Sequence, residues 1–309
     1  MRLIQIRHLL ATVEAGSIRG ASRALGVTPP ALIRNIRALE DELKLKLLDR
    51  TAHGVTPTLA GKALLARARN IENELARIQE DAAQMAGGAG SVTFGVAPSA
   101  TGILPGALAA FRRGHAASEV RIVTAFHVAL LPQVREVRID FALVFAGPKD
   151  RLDKRIRVQP LFRVESVIAG RRGHPLAKSK SLADLIDADW LLPSPPEKVP
   201  AGLPGNRTLE LFRENGLPAP RSIVQCDGAA FYSLLASTDM IGVTTHGNFL
   251  QTSGVVQPFK VKANLPTSFT LTISLLTMAD SPLTPAAAAM VAAIKAEASK
   301  LAFAKAPGK

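Results

Sequence analysis

Residues 62–85 constrain the fold most strongly, because they contain neither Gly nor Pro and are rich in the helix formers Ala, Leu, Glu and Arg. Apolar residues recur in this segment at alternating spacings of four and three, over three unbroken heptads. The apolar seam consists of Leu64, Ala68, Ile71, Leu75, Ile78, Ala82 and Met85. Such a seam predicts a long helix that pairs with a second helix.

The partner of this helix is most simply the same helix of a second copy of the chain. The residues expected at the contact between the two copies are Leu64, Ala68, Ile71, Leu75 and Ile78. The alternative is that the helix packs against the body of its own chain.

Three short helices are predicted before this long one. The first helix is amphipathic and ends at Gly16, and Ser17 is a suitable N-cap for the second. The second helix ends at Gly26. Thr28 can cap a third helix, in which Pro29 occupies the first turn, where a missing N–H costs nothing. Two short helices joined by a Gly-containing turn predict a helix-turn-helix.

The third helix, residues 29–39, is the one expected to enter the major groove of DNA. Its outer face carries Arg34 and Arg37, whose guanidinium groups suit both guanine edges and phosphate oxygens. The alternative is that these arginines only solvate an exposed helix face.

A small hairpin, or wing, is predicted after the third helix. Gly54 is flanked by β-forming residues over residues 53–58. Arg50, Thr51, His53 and Thr56 are therefore candidate phosphate contacts.

Several short runs in residues 1–61 are more specific than the helix pattern. They are Val13–Ile18, Ala21–Leu25, Pro30–Leu32, Ile36–Glu40, Leu48–Thr51 and Thr58–Gly61. In order and spacing these runs resemble the N-terminal domain of LysR-type transcriptional regulators. The resemblance implies a winged helix-turn-helix that contacts DNA. The residues expected at DNA are Ser17, Arg19, Thr28, Pro30, Arg34, Arg37, Arg50, Thr51, His53 and Thr56.

Two positions depart from the family pattern. The family usually has Gln after the capping residue and Ser just after the Ala-Leu pair, whereas this chain has Pro29 and Ile33. Both departures remove hydrogen-bonding groups near the groove, so base recognition is expected to rely more on Arg34 and Arg37.

The rest of the chain is predicted to be α/β. Gly87–Gly90 is a flexible break, residues 91–97 read as a strand, and a helix over 103–113 follows. Further strands, one of them over 162–169, alternate with helices to the last helix, 285–303. This part resembles the effector-binding domain of the same family. The matching runs are Ile103–Pro105, Ile139–Leu143, Gly173–Ala177 and Ile241–Val243.

The resemblance implies two α/β subdomains, as in periplasmic solute-binding proteins, with the chain crossing between them near 163–167 and 266–270. The predicted domains are a winged helix-turn-helix over 1–61, a linker helix over 62–88 and an effector-binding domain over 89–309. Subdomain I is expected to comprise 89–164 and 268–309, and subdomain II 165–267.

The effector is expected between the two subdomains. Helix N-termini that face a cleft present unpaired N–H groups, which favour anions. We therefore expect a small anionic effector, such as a carboxylate or sulfonate, with aromatic acids included. His127 is predicted in the loop after the second strand, and Thr244 and Thr245 just after the strand that ends at Val243. The full set is Ser99, Ala100, Thr101, His127, Ser194, Thr244, Thr245 and His246.

Composition excludes several other classes of protein. The formal net charge is +13, but the first 90 residues carry 13 basic and 9 acidic side chains, so the excess does not mark one surface. Cys226 is alone, so neither an internal disulfide nor a Cys/His zinc cluster is expected, and no metal or cofactor is predicted. Because no signal peptide and no membrane-spanning apolar run are apparent, we expect a cytoplasmic protein.

The sequence thus predicts a DNA-binding regulator that is controlled by a small effector. The resemblance implies a homodimer and further a homotetramer, with RNA polymerase as a partner if the protein is an activator. An enzyme is not expected, because the chain has neither a Gly-x-Ser-x-Gly motif nor a P-loop. The alternatives are a non-specific architectural DNA-binding protein and an enzyme with an accessory DNA-binding module.

Overall fold

The chain divides into two compact units in the computed structural model. The N-terminal unit comprises Met1–Ala82 together with Glu136–Arg138, and the C-terminal unit comprises Ala83–Arg135 and Ile139–Lys309. The structure describes residues 1–51, 54–146, 154–193, 207–226, 228–245, 254–264 and 270–303. Among these residues, no helix has both the length and the apolar character of a membrane span.

The N-terminal unit contains three short helices, a hairpin and most of a long helix. In order these are α1 (Leu3–Ala15), α2 (Ile18–Leu25), α3 (Pro29–Leu43), β1 (Leu48–Thr51), β2 (Gly54–Pro57) and α4 (Leu59–Met85). Gly16 and Gly26 end α1 and α2 in the left-handed conformation, with φ of 62° and 64°. Glycine adopts this conformation without a steric penalty, so both helices stop where the sequence predicts.

A single core holds these elements together. Leu9 of α1 and Leu32, Ile36 and Leu39 of α3 are completely buried in it. The first turns of α4 contribute Leu65 and Ala68 to the same core, so α4 begins as part of this unit. β1 and β2 pair antiparallel from Leu48↔Pro57 to Thr51↔Gly54, which is the predicted wing.

The C-terminal unit alternates strands and helices. Its elements are β3 (Ser91–Val96), α5 (Leu104–Arg112), β4 (Glu119–Thr124), α6 (His127–Arg135), β5 (Phe141–Phe145), β6 (Ile156–Arg171), β7 (Asp189–Pro193), α7 (Arg207–Glu214), β8 (Ser222–Cys226), α8 (Gly228–Ser237), β9 (Ile241–Thr245), β10 (Val256–Pro258), β11 (Thr270–Met278) and α9 (Pro285–Phe303). A 3₁₀-helix, Pro98–Ile103, leads into α5.

The strands form one sheet in the order β4-β3-β5-β11-β6-β9-β7-β8, and β10 also pairs with β6. The central strand β6 pairs with β11 as far as Glu165 and with β9 from Ser166 onward. This change of partner separates subdomain I (β3, β4, β5 and β11) from subdomain II (β7, β8, β9 and β10). The second predicted crossing falls mainly on residues 265–269, which lie outside the described residues.

Each subdomain has its own core. In subdomain I, Phe94 and Phe141 stack with ring centroids 4.8 Å apart, beneath α5 and α9. In subdomain II, the fully buried Trp190 meets Phe212 edge to face, and its indole N–H donates to the Leu185 carbonyl at 2.8 Å. Aromatic pairs and satisfied polar atoms of this kind stabilise a close-packed interior.

The mixed α/β architecture agrees with the expected fold class, and two local expectations are corrected. Residues 127–135 form the helix α6, although Pro132 lies inside it. β6 extends over 16 residues, beyond the expected limits of 162–169, because it finds partners in both subdomains.

Candidate functional site

The turn between α2 and α3 sets the position of α3. The Ser17 hydroxyl accepts a hydrogen bond from the Gly20 N–H at 3.1 Å, so Ser17 is the predicted N-cap of α2. Pro29 occupies the start of α3. Thr28, in contrast, makes no side-chain cap, which corrects that expectation: the backbone at Thr28 is extended, but its hydroxyl bonds to none of the first amides of α3. Pro29 is compatible with the first turn without such a cap.

The outer face of α3 is cationic and open. Leu32, Ile36 and Leu39 face the core, whereas Arg34 and Arg37 are exposed. Within the described part of the chain, neither arginine has an ion pair or a side-chain hydrogen bond. Unpaired guanidinium groups on a helix of a helix-turn-helix can reach base edges or phosphates.

The other expected DNA contacts differ in how far the structure describes them. Ser17 is engaged as a cap, and the Thr51 hydroxyl donates to the Gly54 carbonyl at 3.4 Å. The remaining exposed positions are Arg19, Thr28, Pro30 and Thr56. Arg50 lies in β1, but its side chain is outside the described residues, as is the whole of His53.

Two anchors of the wing were not singled out from the sequence. The Val55 N–H donates to the Gly16 carbonyl at 2.9 Å, and a Cβ on Gly54 would lie 2.6 Å from that oxygen. The Glu40 carboxylate accepts hydrogen bonds from the N–H groups of Leu47 and Leu48, at 2.8 and 3.1 Å. The sequence indicated the glycine of the hairpin, but Glu40 appeared there only as the last residue of the run Ile36–Glu40.

The apolar seam of α4 is divided between two environments. Ala68 is 3% exposed and belongs to the core of its own unit, and Leu64 packs against that core. The structure therefore corrects the expectation that Ala68 contacts a second chain, because its side chain is already buried in the core of its own unit. Farther along, Ile71 and Ile78 are 41% and 59% exposed, and Leu75 is half-buried.

Strand direction defines a second candidate site, in the C-terminal unit. β5 is antiparallel to β11, and β11 is antiparallel to β6, so β5 and its parallel neighbours β3 and β4 run in the direction of β6. β9 is antiparallel to β6, and β7 and β8 are parallel to β9. The carboxyl ends of both groups of parallel strands therefore point toward the boundary between the subdomains. In α/β sheets this is the edge at which ligands bind.

Helix starts lie at the same boundary. The 3₁₀-helix begins at Pro98, directly after β3, and α8 begins at Gly228, directly after β8. A Cβ on Gly228 would lie 3.2 Å from Cγ of Pro98, so these two helix starts approach each other across the boundary. The positive ends of two helices favour an anion there.

Three of the expected effector residues are corrected. Ala100 is 2% exposed within a core, and its N–H already donates to the Ala97 carbonyl, so it offers no wall to a ligand. Thr244 and Thr245 are the last residues of β9 rather than the loop after it, and they are 3% and 1% exposed. They continue β9 because Val167 and Ser166 of β6 pair with them.

The remaining expected residues stand as follows. Thr101 is half-buried in the 3₁₀-helix, and its hydroxyl donates to the Pro98 carbonyl at 2.7 Å. His127 is the half-buried first residue of α6, not a loop residue. The side chain of Ser99 is outside the described residues, as are Ser194 and His246. Sequence reasoning missed Gly228, which the structure brings close to Pro98.

Comparison with known proteins identifies both parts of the chain. Residues 3–62 match the family of bacterial regulatory helix-turn-helix proteins of the LysR type, and residues 86–299 match the LysR substrate-binding domain. The regulator TdcA of Escherichia coli (strain K12) is 28% identical over 248 residues, which cover 78% of this chain and 77% of TdcA. The regulator GbpR of Azospirillum brasilense is 27% identical, over 95% of this chain and 86% of GbpR.

The fold is also similar to that of a solved LysR-family structure. Full-length CbnR in complex with its target DNA has a TM-score of 0.66 and 20% identity, over 96% of this chain and 100% of that chain. The relatives are named as transcriptional regulators, not enzymes. This chain therefore belongs to the LysR family of DNA-binding transcriptional regulators, with an N-terminal helix-turn-helix and a C-terminal effector-binding domain.

Proposed function

We propose that this regulator binds its operator as a homo-oligomer and responds to a small anionic effector held between subdomains I and II. The observation that carries the proposal is the strand direction: β3, β4 and β5 end toward the same boundary as β7, β8 and β9. A ligand at that boundary contacts both subdomains, so its affinity depends on their arrangement. A ligand shifts a conformational equilibrium only through such a difference in affinity.

Charge supports an anion as the effector. The 3₁₀-helix that leads into α5 and the helix α8 both begin at this boundary, with Pro98 and Gly228 close to each other. The helix starts provide N–H donors and positive dipole ends, which bind carboxylate or sulfonate groups. We propose a small carboxylate or sulfonate, with aromatic acids among the first to test.

The DNA contact is assigned to α3 and the wing. Arg34 and Arg37 are exposed and unpaired among the described residues, on the face of α3 opposite the buried stripe. We assign them to base edges and phosphates, and the exposed Thr56 of the wing to phosphate. Pro29 and Ile33 take no role in base recognition in this proposal.

Oligomer formation is assigned to α4. Exposed Ile71 and Ile78, with half-buried Leu75 between them, leave an apolar stripe on one helix. Burial of such a stripe against the same helix of a second copy is favourable, because apolar surface leaves water on both helices. We propose a dimer through this seam, a tetramer as the operator-bound form, and a contact with RNA polymerase if the protein activates transcription.

The test is a gel-shift titration of the full-length protein on its own upstream DNA and on a scrambled duplex of equal length. It is repeated with a panel of aliphatic and aromatic acids and with amines of matched shape. We expect roughly 10³-fold preference for the upstream DNA at physiological salt, and an acid that alters mobility or footprint. Equal affinity for both duplexes would instead indicate a non-specific architectural protein. A response to an amine but to no acid would contradict the anionic effector.

A further inference from the structure

Four exposed lysines of subdomain II lie close together although they come from two separate segments. Lys178 ends a short 3₁₀-helix, Pro175–Lys178, and Lys180 follows it, whereas Lys260 and Lys262 follow β10. The two segments are joined at their backbones, because the Lys262 N–H donates to the Lys180 carbonyl at 2.8 Å. Since two residues span at most about 7 Å of chain, the other two lysines also lie close to this hydrogen bond. We call these four residues the lysine cluster.

The lysine cluster is not neutralised within its own subdomain. Elsewhere in subdomain II, arginines form ion pairs with neighbouring carboxylates at 2.7–3.6 Å. In contrast, none of the four lysines has an ion pair or a side-chain hydrogen bond with another residue that the structure describes. The carboxylate of Asp184 lies beside the cluster, but it accepts hydrogen bonds from the backbone N–H groups of Lys180 and Ser181, both at 3.0 Å. Like charges at close range repel each other, and a bound polyanion would offset that repulsion.

The composition of the lysine cluster favours the phosphate backbone of duplex DNA over the surface of another protein. Protein interfaces are depleted in lysine and enriched in arginine and aromatic side chains. A lysine ammonium is a strongly hydrated point charge, which binds phosphate without the planar match that arginine provides. Phe259, next to Lys260, is 7% exposed and packs against His174 with ring centroids 5.2 Å apart. Phe259 therefore offers no surface on which unpaired bases could stack, which disfavours single-stranded nucleic acid.

We propose that the lysine cluster is a second DNA-contact surface, which binds the phosphate backbone of the duplex that flanks the operator. The chain has a helix-turn-helix of a DNA-binding family, so DNA is tethered to the protein whenever that domain is bound. A weak contact then acts at a high effective concentration of DNA. The contact reads no sequence, because phosphate contacts carry no sequence information. It goes beyond the proposed function, which assigns DNA binding to α3 and the wing.

Gel-shift titration with two duplexes tests the proposal on the full-length protein. The short duplex is the shortest part of the upstream DNA that is still preferred over scrambled DNA. The long duplex carries in addition about 30 bp of random sequence at each end, which is three helical turns.

Two matched variants each lose four positive charges. The cluster variant combines Lys178→Gln, Lys180→Gln, Lys260→Gln and Lys262→Gln. The control variant alters exposed positions of subdomain I and combines Arg113→Gln, Lys154→Gln, Arg163→Gln and Lys300→Gln. All eight side chains are exposed, so both variants should fold like the parent protein.

The parent protein should bind the long duplex about tenfold or more tightly than the short one at low salt, and its affinity should depend more steeply on salt concentration. Each phosphate contact adds about 0.9 to that logarithmic slope. In the cluster variant the long duplex should lose this advantage, while affinity for the short duplex stays the same. The control variant should keep the advantage.

Acetylation of lysines, followed by mass spectrometry, locates the contact directly. The four lysines of the cluster should be protected in the complex with the long duplex and reactive in the complex with the short one. Lys154 and Lys300 are the internal references, and they should react equally in both complexes.

Three results would overturn the proposal: no advantage of the long duplex, an equal loss of that advantage in both variants, or full reactivity of the cluster in the long complex. A cluster variant that keeps its DNA affinity but loses transcription activation would instead assign the lysines to an acidic protein partner. These measurements need no effector, so their failure is distinct from failure of the proposed response to an anion.

Discussion

The two units present their candidate functional residues in opposite ways. In the N-terminal unit the residues expected at DNA lie within 40 consecutive positions, from Ser17 to Thr56, and Arg34 and Arg37 are exposed. In the C-terminal unit the candidate positions extend from Pro98 to Gly228, and Thr245, at the strand end that supports them, is 1% exposed. They come together only because the strands end at one boundary.

This difference determines how each function can be altered. An exposed arginine supports no core, so its replacement should change DNA affinity and leave folding unchanged. A buried threonine at a strand end does not face the ligand but supports the packing beneath the site, so its replacement should change stability and, through the strand end, ligand response together. Function and stability are thus separable in the first unit and coupled in the second. The following experiments test that contrast, beginning with the largest expected effect.

Leu75→Glu should have the largest effect. A charge in the apolar seam of α4 makes its burial against a second helix unfavourable, so the oligomer should dissociate into monomers. Operator affinity should then fall by about 10²-fold or more, because two linked half-site contacts become independent. Sedimentation velocity gives the oligomeric state and gel shift gives the affinity.

Ala76→Glu is the matched control for Leu75→Glu. It places the same charge one residue farther along α4, on an exposed position outside the seam. It should leave the oligomeric state and the operator affinity close to those of the parent protein. An oligomer that survives Leu75→Glu would show that the chains associate elsewhere.

Arg34→Ala should cost roughly 1–3 kcal/mol of operator binding and relax specificity at one operator position. The melting temperature should not change, since Arg34 is exposed and has no ion pair among the described residues. Binding to a set of single-base operator variants gives the specificity profile. Arg113→Ala, an exposed arginine of the C-terminal unit, removes the same charge and should preserve the profile. If Arg34→Ala kept the parent profile, the contact would be to phosphate only.

Thr245→Val should lower the free energy of unfolding by about 1–2 kcal/mol, because the shape is retained while a buried hydroxyl is removed from the close-packed end of β9. The acid that alters gel mobility should also bind less tightly to the variant. Urea unfolding and calorimetric titration measure the two effects. Thr56→Val, at an exposed position of the wing in the N-terminal unit, is the control and should change neither. A loss of acid binding at full stability would contradict the coupling argued for this unit.

The smallest expected effect is a pH dependence of stability that arises from His8, in the N-terminal unit. Its ring is 2% exposed, neither ring nitrogen has a hydrogen-bond partner among the described residues, and burial lowers its pKa below the ordinary 6.5. The folded unit therefore binds this proton less readily than the unfolded chain, so stability is full above pH 6.5. Stability should fall as the pH decreases from 6.5 through the lower pKa of the folded state.

His8→Leu should flatten that dependence of the free energy of unfolding on pH. Calorimetric melting of parent and variant at a series of pH values measures the difference, which removes the contribution of the carboxylates common to both proteins. Parallel curves for the two proteins would show that His8 does not contribute.

The N-terminal unit could be predicted closely because its signals are local. Gly16 and Gly26 end helices through their own backbone conformation, and Ser17 caps α2 through a neighbour three residues away. One of the two errors concerns a tertiary contact and the other a local one. Ala68 was assigned to the contact with a second chain, but its side chain is buried in the core of its own unit. Thr28 was expected to cap α3, but its side chain makes no capping hydrogen bond.

The C-terminal unit was predicted less completely because its strands depend on distant partners. Thr244 and Thr245 are polar and suggested a loop, yet pairing with β6 keeps them in β9. His127 was expected in a loop, yet it begins α6, which contains Pro132 and buries Leu130 and Val134. The approach of Pro98 to Gly228 joins positions 130 residues apart in the chain, and no local pattern encodes it.

The burial of Trp190 gives the protein an internal optical reporter. It is the only tryptophan of the chain, and it is fully enclosed beside Phe212 in subdomain II. Its emission in the folded state should be that of an indole in an apolar environment and should move to longer wavelength only when subdomain II opens. The N-terminal unit is silent at this wavelength, so a fluorescence melt and a circular-dichroism melt of the same sample report on different parts of the molecule. Midpoints that differ would resolve the two units without cutting the chain.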